Sequence, residues 1–204
     1  MDNFNAQLAS YNSGKSINQV AKEFGISHET LRRRFIKAGI DTSLFRPNFV
    51  EYNLDPLWLA EFRGLFYGEG SVYIHKRNAF LWDKTYSPNP VYRPDLKIGL
   101  RDDDGNILRE IQRVLGGNLS FRKAIGRSNP SISWQLVGFR AVYPLLKLLS
   151  EGHLPSKKKK EFETMIEFSE ARFKMPEKGL SAENIIILDA FFERMKLLKS
   201  YTGG

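Results

Sequence analysis

Apolar residues recur along this chain with two different periods, and the change between them divides it. Ile17, Val20, Ala21 and Phe24 fall on one face of a short helix that Gly25 closes. Ile26 packs the turn, and Ser27 suits the N-cap of a second helix running through Leu31 and Phe35. Asn5 to Ser13 reads as a preceding helix. Ala21 and Gly25, four residues apart, are the small pair that a tight helix-turn-helix requires. Asp41 to Asn53 contains Pro47 and sustains no period, which marks a linker in which Arg46 and Asn48 are further candidates for contact with a ligand. An apolar helical stretch ends at Gly70, and the period then becomes two. Val72 and Ile74 alternate with Ser71, Tyr73, His75 and Arg77, and Leu96, Ile98 and Leu100 alternate with Asp95, Lys97 and Arg101. Trp82 to Pro94, with Pro88, Pro90 and Pro94, is expected to be the long loop of this hairpin. Asp102 or Asp103 is expected to cap a helix over Ile107 to Leu115 that ends at Gly116-Gly117.

The unit recurs in weaker form as strands over Leu119 to Ile125 and Ile132 to Val137 and a helix over Arg140 to Leu149. The predicted order is αββαββα, an α+β fold with helices on one side of an antiparallel sheet and the other side open to a ligand. Alternation places Tyr73, His75, Arg77, Arg93, Lys97, Ser120, Arg122, Ser133 and Gln135 on that open side, a set able to bond bases and phosphates. Any one of them alone would fit an ordinary solvated face. The second helix of the N-terminal module would expose Ser27, His28, Thr30, Arg32 and Arg33 to a major groove. The expected organisation is a helix-turn-helix over 1–45, a linker over 46–54, a core over 55–175 and a C-terminal helix over 176–204.

Composition narrows the partner. Lys and Arg outnumber Asp and Glu by 31 to 23, giving a net charge of +8 and a pI near 9.6, which favours a polyanion. With 42% hydrophobic residues in 204 the chain can build real cores. The absence of cysteine excludes disulfides, thiolate metal sites and thiol nucleophiles. Without a signal-like start or an apolar run of roughly 18 residues, no membrane role is expected, and the cytoplasm or nucleoid is the default compartment.

Phe62 to Gly70 read F-R-G-L-F-Y-G-E-G. Gly64 and Gly68 share one helix face and strip it of bulk, so a second helix could approach almost backbone to backbone. Glu69 would stand at the foot of that contact beside its counterpart, and two carboxylates so close need cations. A carboxylate at a helix C-terminus opposes the macrodipole, so its presence there calls for such a reason.

The segment resembles the signature helix of the LAGLIDADG homing endonucleases, with Gly64-Leu65 and Gly68-Glu69-Gly70 at the G-L and A-D-G positions and Glu in place of the commoner Asp. Further similarities are L-K-I-G-L-R-D-D-D from Leu96, I-Q-R-V-L-G-G from Ile111, Trp134, and L-P-S-K-K-K-K-E-F from Leu154. They span roughly Asp55 to Lys174. The N-terminal module resembles recombinase and resolvase helix-turn-helix domains. The resemblance implies the homing-endonuclease fold and a Mg²⁺- or Mn²⁺-dependent double-strand break in a long pseudo-palindromic DNA, leaving short 3′ overhangs. Glu69 and the Gly68 carbonyl would bind the metals, and Lys157 or Lys158, in the loop before the last part of the core, would stand near the scissile phosphate. The lysine run also reads as a solvated segment or a nonspecific phosphate contact. Leu100 departs from the polar residue that relatives often keep in the pocket. One signature helix per chain implies a homodimer packed through Gly64 and Gly68. Such genes often sit in introns, inteins or phage genomes. Two other readings remain open: a non-cleaving transcriptional regulator of the same fold, which would have no use for Glu69, and an intron RNA maturase, against which the helix-turn-helix speaks.

Overall fold

The computed structural model describes residues 3–43, 47–80, 86–124, 129–177 and 179–200, with side chains of 78–80 and 86–89 left aside. Arg46, the hairpin tip around Trp82 and the expected strand end at Ile125 lie outside the described residues.

The N-terminal module consists of α1 (Asn3–Asn12), α2 (Ile17–Glu23) and α3 (His28–Lys37). Ser16 and Gln19 form a reciprocal capping box at the start of α2. Gly25 turns the chain at a φ of +63°, in the left-handed region where glycine is at ease. Tyr11, Val20, Ala21, Leu31 and Phe35 make a separate small core. The segment that follows is tied to the rest of the chain by backbone bonds, Glu177 N–H to Ser43 O at 2.8 Å and Val50 N–H to Arg140 O at 2.9 Å.

Helix α4 (Pro56–Glu69) starts where the Asp55 carboxylate accepts from the N–H groups of Leu57 and Trp58. It ends at Gly70, where a Cβ would lie 2.5 Å from Phe66 O. Only glycine lets the chain turn there from helix directly into strand. β1 (Gly70–Phe80) and β2 (Tyr86–Arg101) pair from Gly70↔Ile98 out to Phe80↔Tyr86. The expected loop over Trp82 to Pro94 is therefore mostly strand. Only from Asp95 onward does β2 also pair with β4 (Ser131–Val137), so the prolines of its outer part sit where one edge is unpaired and a missing N–H is tolerated.

A 3₁₀ turn over Asp102–Asp104 precedes α5 (Gly105–Leu115). The helix begins at Asp104 with no side-chain cap bond, so neither Asp102 nor Asp103 plays the expected capping part. β3 (Asn118–Arg122) completes a four-stranded antiparallel sheet of order β1-β2-β4-β3. α6 (Phe139–Ser150), α7 (Ser156–Phe173) and α8 (Ala182–Ser200) follow. The core lies between the sheet and the helices, around Phe62, Phe66, Leu96, Ile98, Trp134, Leu145, Phe162 and Phe168. Lys157 to Lys160 were expected in a loop, but they form the opening turn of α7. The lysine run hides the helical spacing that begins with buried Phe162, Met165 and Phe168.

Candidate nucleic-acid interface and acidic site

Alternation separates the faces of the sheet cleanly. Val72, Ile74, Leu96, Ile98, Ile132, Trp134 and Leu136 are buried against the helices. The predicted residues share the opposite face, brought together by the registers Ser71↔Lys97, His75↔Arg93, Lys97↔Gln135, Ser120↔Ser133 and Arg122↔Ser131. Tyr73 and Arg77 continue the face along β1, and the hydroxyls of Ser120 and Ser133 are 2.8 Å apart.

Asp95 stands among them with no solvent exposure. Its Oδ2 is 2.8 Å from His75 Nε2 and accepts a hydrogen bond from Gln135 Nε2. Burial holds this carboxyl above its ordinary range, although the Gln135 bond and the neighbouring His75 and Arg93 pull it back. In sequence, Asp95 is legible only as an outward position of an alternating strand. Its alternation with Arg93 and Lys97 was the available signal for an acid enclosed by a basic face.

Glu69 is exposed at the C-terminal end of α4. Gly64 and Gly68 lie on an exposed stripe of the same helix with Leu57 and Glu61, and a Cβ at either glycine would meet nothing within 4 Å. The glycine face is thus bare in a single chain. A helix end leaves its last carbonyls without intrahelical donors, so the Gly68 carbonyl and the Glu69 carboxylate are oxygen donors of the kind that hard divalent cations take. Among the described residues no group of three or more His, Asp or Glu gathers to hold a metal. One chain supplies one carboxylate at this helix end.

The structure separates the two candidate lysines. Lys158 Nζ donates to the carbonyl of Gly70, the residue after Glu69, while Lys157 is exposed. Beneath Lys158 lies Glu161, 1% exposed, whose Oε2 is 3.9 Å from Lys158 Nζ and 3.0 Å from Lys199 Nζ of α8. Burial lowers the Lys158 pKa, Lys199 and Lys157 lower it further, and Glu161 and Glu69 oppose the shift. A lysine so placed is a candidate proton-transfer or charge-stabilising group. Lys199 also lies over the Tyr73 ring, 4.9 Å from its centroid, linking α8 to the edge of the open face. Neither Glu161 nor Lys199 was anticipated from sequence, because a contact between α7 and α8 has no local signature. Leu100 pairs with Ile132 and packs half-buried against the core, so it brings no polar group to the site.

In the N-terminal module Ser27, His28, Thr30, Arg32 and Arg33 are all exposed. The Ser27 hydroxyl accepts from Thr30 N–H at 3.1 Å and lies 2.7 Å from the Thr30 hydroxyl, so both serve the cap of α3. Arg33 pairs with Glu29 at 3.0 Å. His28 and Arg32 line a cleft of about 870 Å³ whose other wall includes Val137 and Arg140 of the core.

A family model described as "helix-turn-helix, Psq domain" matches residues 1–44, where the helix-turn-helix was expected, and gives that module its type. No curated protein sequence matches the chain. Its structure is similar to homing endonuclease I-CvuI in complex with its target, at 17% identity, 72% coverage of this chain, 83% of that chain and a TM-score of 0.54. It is also similar to the I-LtrWI LAGLIDADG homing endonuclease bound to target DNA, at 17% identity over 80% of this chain and 51% of that one, with a TM-score of 0.53. An archaeal intron-encoded homing endonuclease complexed with DNA, I-Vdi141I, is matched at 15% identity over 70% and 84% of the chains, with a TM-score of 0.52. The chain has the LAGLIDADG homing endonuclease fold, joined to an N-terminal Psq-type helix-turn-helix.

Proposed function

We propose that this protein is a site-specific DNA endonuclease that acts as a homodimer with bound Mg²⁺ or Mn²⁺. The observation that carries this reading is the convergence of Glu69, at the end of a helix with a bare glycine face, and Lys158 at the Gly70 carbonyl, both at the border of a polar and basic sheet face. The DNA targets of the structurally similar endonucleases support the choice of substrate.

Two copies of α4, approaching along Gly64 and Gly68, would bring two Glu69 carboxylates together on the dimer axis. Each Glu69, with the Gly68 carbonyl, would hold a divalent cation, which when bound activates the attacking water and offsets charge on the phosphate. Lys158, half-buried and steadied by Glu161, would set a positive charge beside the phosphate oxygens. The open face, with Lys97, Arg77 and Arg122, would hold the duplex backbone and present Ser133 and Gln135 to base edges. α3 would add outer contacts through Arg32 and Arg33, its tether raising its effective concentration. The dimer axis implies a palindromic or pseudo-palindromic site.

Leu100 favours a second reading, a regulator that binds the same kind of site without cutting it, because no polar side chain stands there to orient water. One experiment separates the two. Genomic DNA incubated with the protein in Mg²⁺ or in EDTA is sequenced for new double-strand ends. Ends at discrete sites that require Mg²⁺ support the endonuclease; protection of a discrete site with no ends supports the regulator.

A further inference from the structure

Asp95 of β2 links the two neighbouring strands from the centre of the open face, touching His75 of β1 and Gln135 of β4 through the same oxygen. An oxygen that receives two nitrogens is acting as an acceptor, so each partner must present an N–H to it. For Gln135 this orients the amide, with Nε2 toward Asp95 and the carbonyl oxygen at the opposite end. For His75 it selects the tautomer protonated on Nε2, leaving Nδ1 as an acceptor in the neutral ring. The imidazole is half exposed, and Gln135 is partly exposed beside it. Asp95 itself is fully buried and cannot reach a base.

We infer that Asp95 fixes the hydrogen-bonding polarity of the centre of this face, so that the neutral His75 ring and the Gln135 carbonyl oxygen meet DNA as acceptors, with the one amide N–H left to Gln135 beside that oxygen as adenine's N6 and N7 require, and select contacted bases that carry an exocyclic amine. In the major groove those are adenine, through its N6 amine, and cytosine, through its N4 amine; guanine and thymine offer acceptors there and are disfavoured. Asp95 is thus a positioning residue for specificity, acting through two side chains that touch DNA. The inference rests on the reading of the sheet as a DNA interface. It goes beyond that reading by assigning a base class to two positions of each half-site.

The test is selection from a randomised duplex pool by the full-length protein in EDTA, where cleavage cannot remove bound molecules. The wild-type chain should enrich a site with two positions per half that favour adenine or cytosine by about tenfold. Asp95→Asn, whose amide can offer either end to its neighbours, should relax those two positions and leave the others as they were. Unchanged preferences at every position in Asp95→Asn would overturn the inference while leaving DNA recognition intact. A wild-type protein that enriches no sequence would overturn the DNA-interface reading and this inference with it. Should Asp95→Asn not fold, long-range ¹H–¹⁵N NMR of wild-type His75 decides: protonation on Nε2 is expected, and protonation on Nδ1 would overturn the assignment.

Discussion

Helix α3 and the open face of the sheet are both polar and basic, but they hold their side chains in opposite ways. On α3, Arg32 and Arg33 are exposed, and among the described residues Arg33 is restrained by a surface pair with Glu29, an interaction worth less than about 1 kcal/mol. On the sheet, His75 and Gln135 are bound to a fully buried carboxylate, and at its border Lys158 is held over a second buried carboxylate, Glu161. Mobile charge suits phosphate contact, which tolerates many geometries; fixed donors and acceptors suit base reading and catalysis, which do not. On the proposed function, the two regions would divide the work into affinity on the helix and discrimination and chemistry on the sheet. Their cores follow the same division, a handful of buried residues in the N-terminal module against the large core behind the sheet.

The largest effect that would sharpen this division comes from Glu69→Gln, which should lower cleavage by about a thousandfold or more while gel-shift affinity for the mapped site stays near wild type. Lys158→Met should cost about a hundredfold in single-turnover cleavage, whereas Lys157→Met, altering an exposed lysine, should leave the rate close to unchanged. Equal losses from the two lysines would remove the distinction between them. Leu31→Ala, in the small core of the N-terminal module, should destabilise that module by about 2–5 kcal/mol and leave the thermal transition of the sheet unmoved; a single transition that shifts as a whole would show that the two cores unfold together. Arg32→Ala with Arg33→Ala should make the slope of log affinity against log salt less negative by about two, roughly one per phosphate lost. The base preferences should not change. An altered preference would give α3 a share in base reading and break the division.

The smallest effect is one of pH. Lys158 has its pKa lowered, chiefly by burial, so its contribution to cleavage should fade as pH rises through a value below that of an ordinary lysine. Glu161 raises that pKa, so Glu161→Gln should move the alkaline limb of the rate profile further down. For stability the sign runs the other way. The unfolded chain keeps this proton to higher pH than the folded one, so the cost of burying Lys158 shrinks as pH rises across that window. A pH–rate profile identical in wild type and Glu161→Gln would show that Glu161 does not act on Lys158.

Much of this was legible in sequence where periodicity spoke. The alternation around Val72 and Leu96, the helix stop at Gly70 and the cap at Ser27 all reflect local rules, and the structure places strands and helices there. The lysine run concealed the start of α7, and prolines concealed the outer part of β2, because both patterns mimic loops until the unpaired strand edge and the buried Phe162 are visible. Asp95, Glu161 and Lys199 escaped for a different reason. Their importance lies in contacts between elements far apart in the chain, and a single buried acid looks in sequence like any surface acid.

On the proposed function, one chain carries half of a catalytic site. A heterodimer purified with one wild-type chain and one Glu69→Gln chain tests it on the mapped duplex, with products of the two strands resolved separately. Each heterodimer should cut one strand and leave a nick opposite an intact strand. Cleavage of both strands at the wild-type ratio would contradict it, because a single chain would then be shown to hold all that the reaction needs.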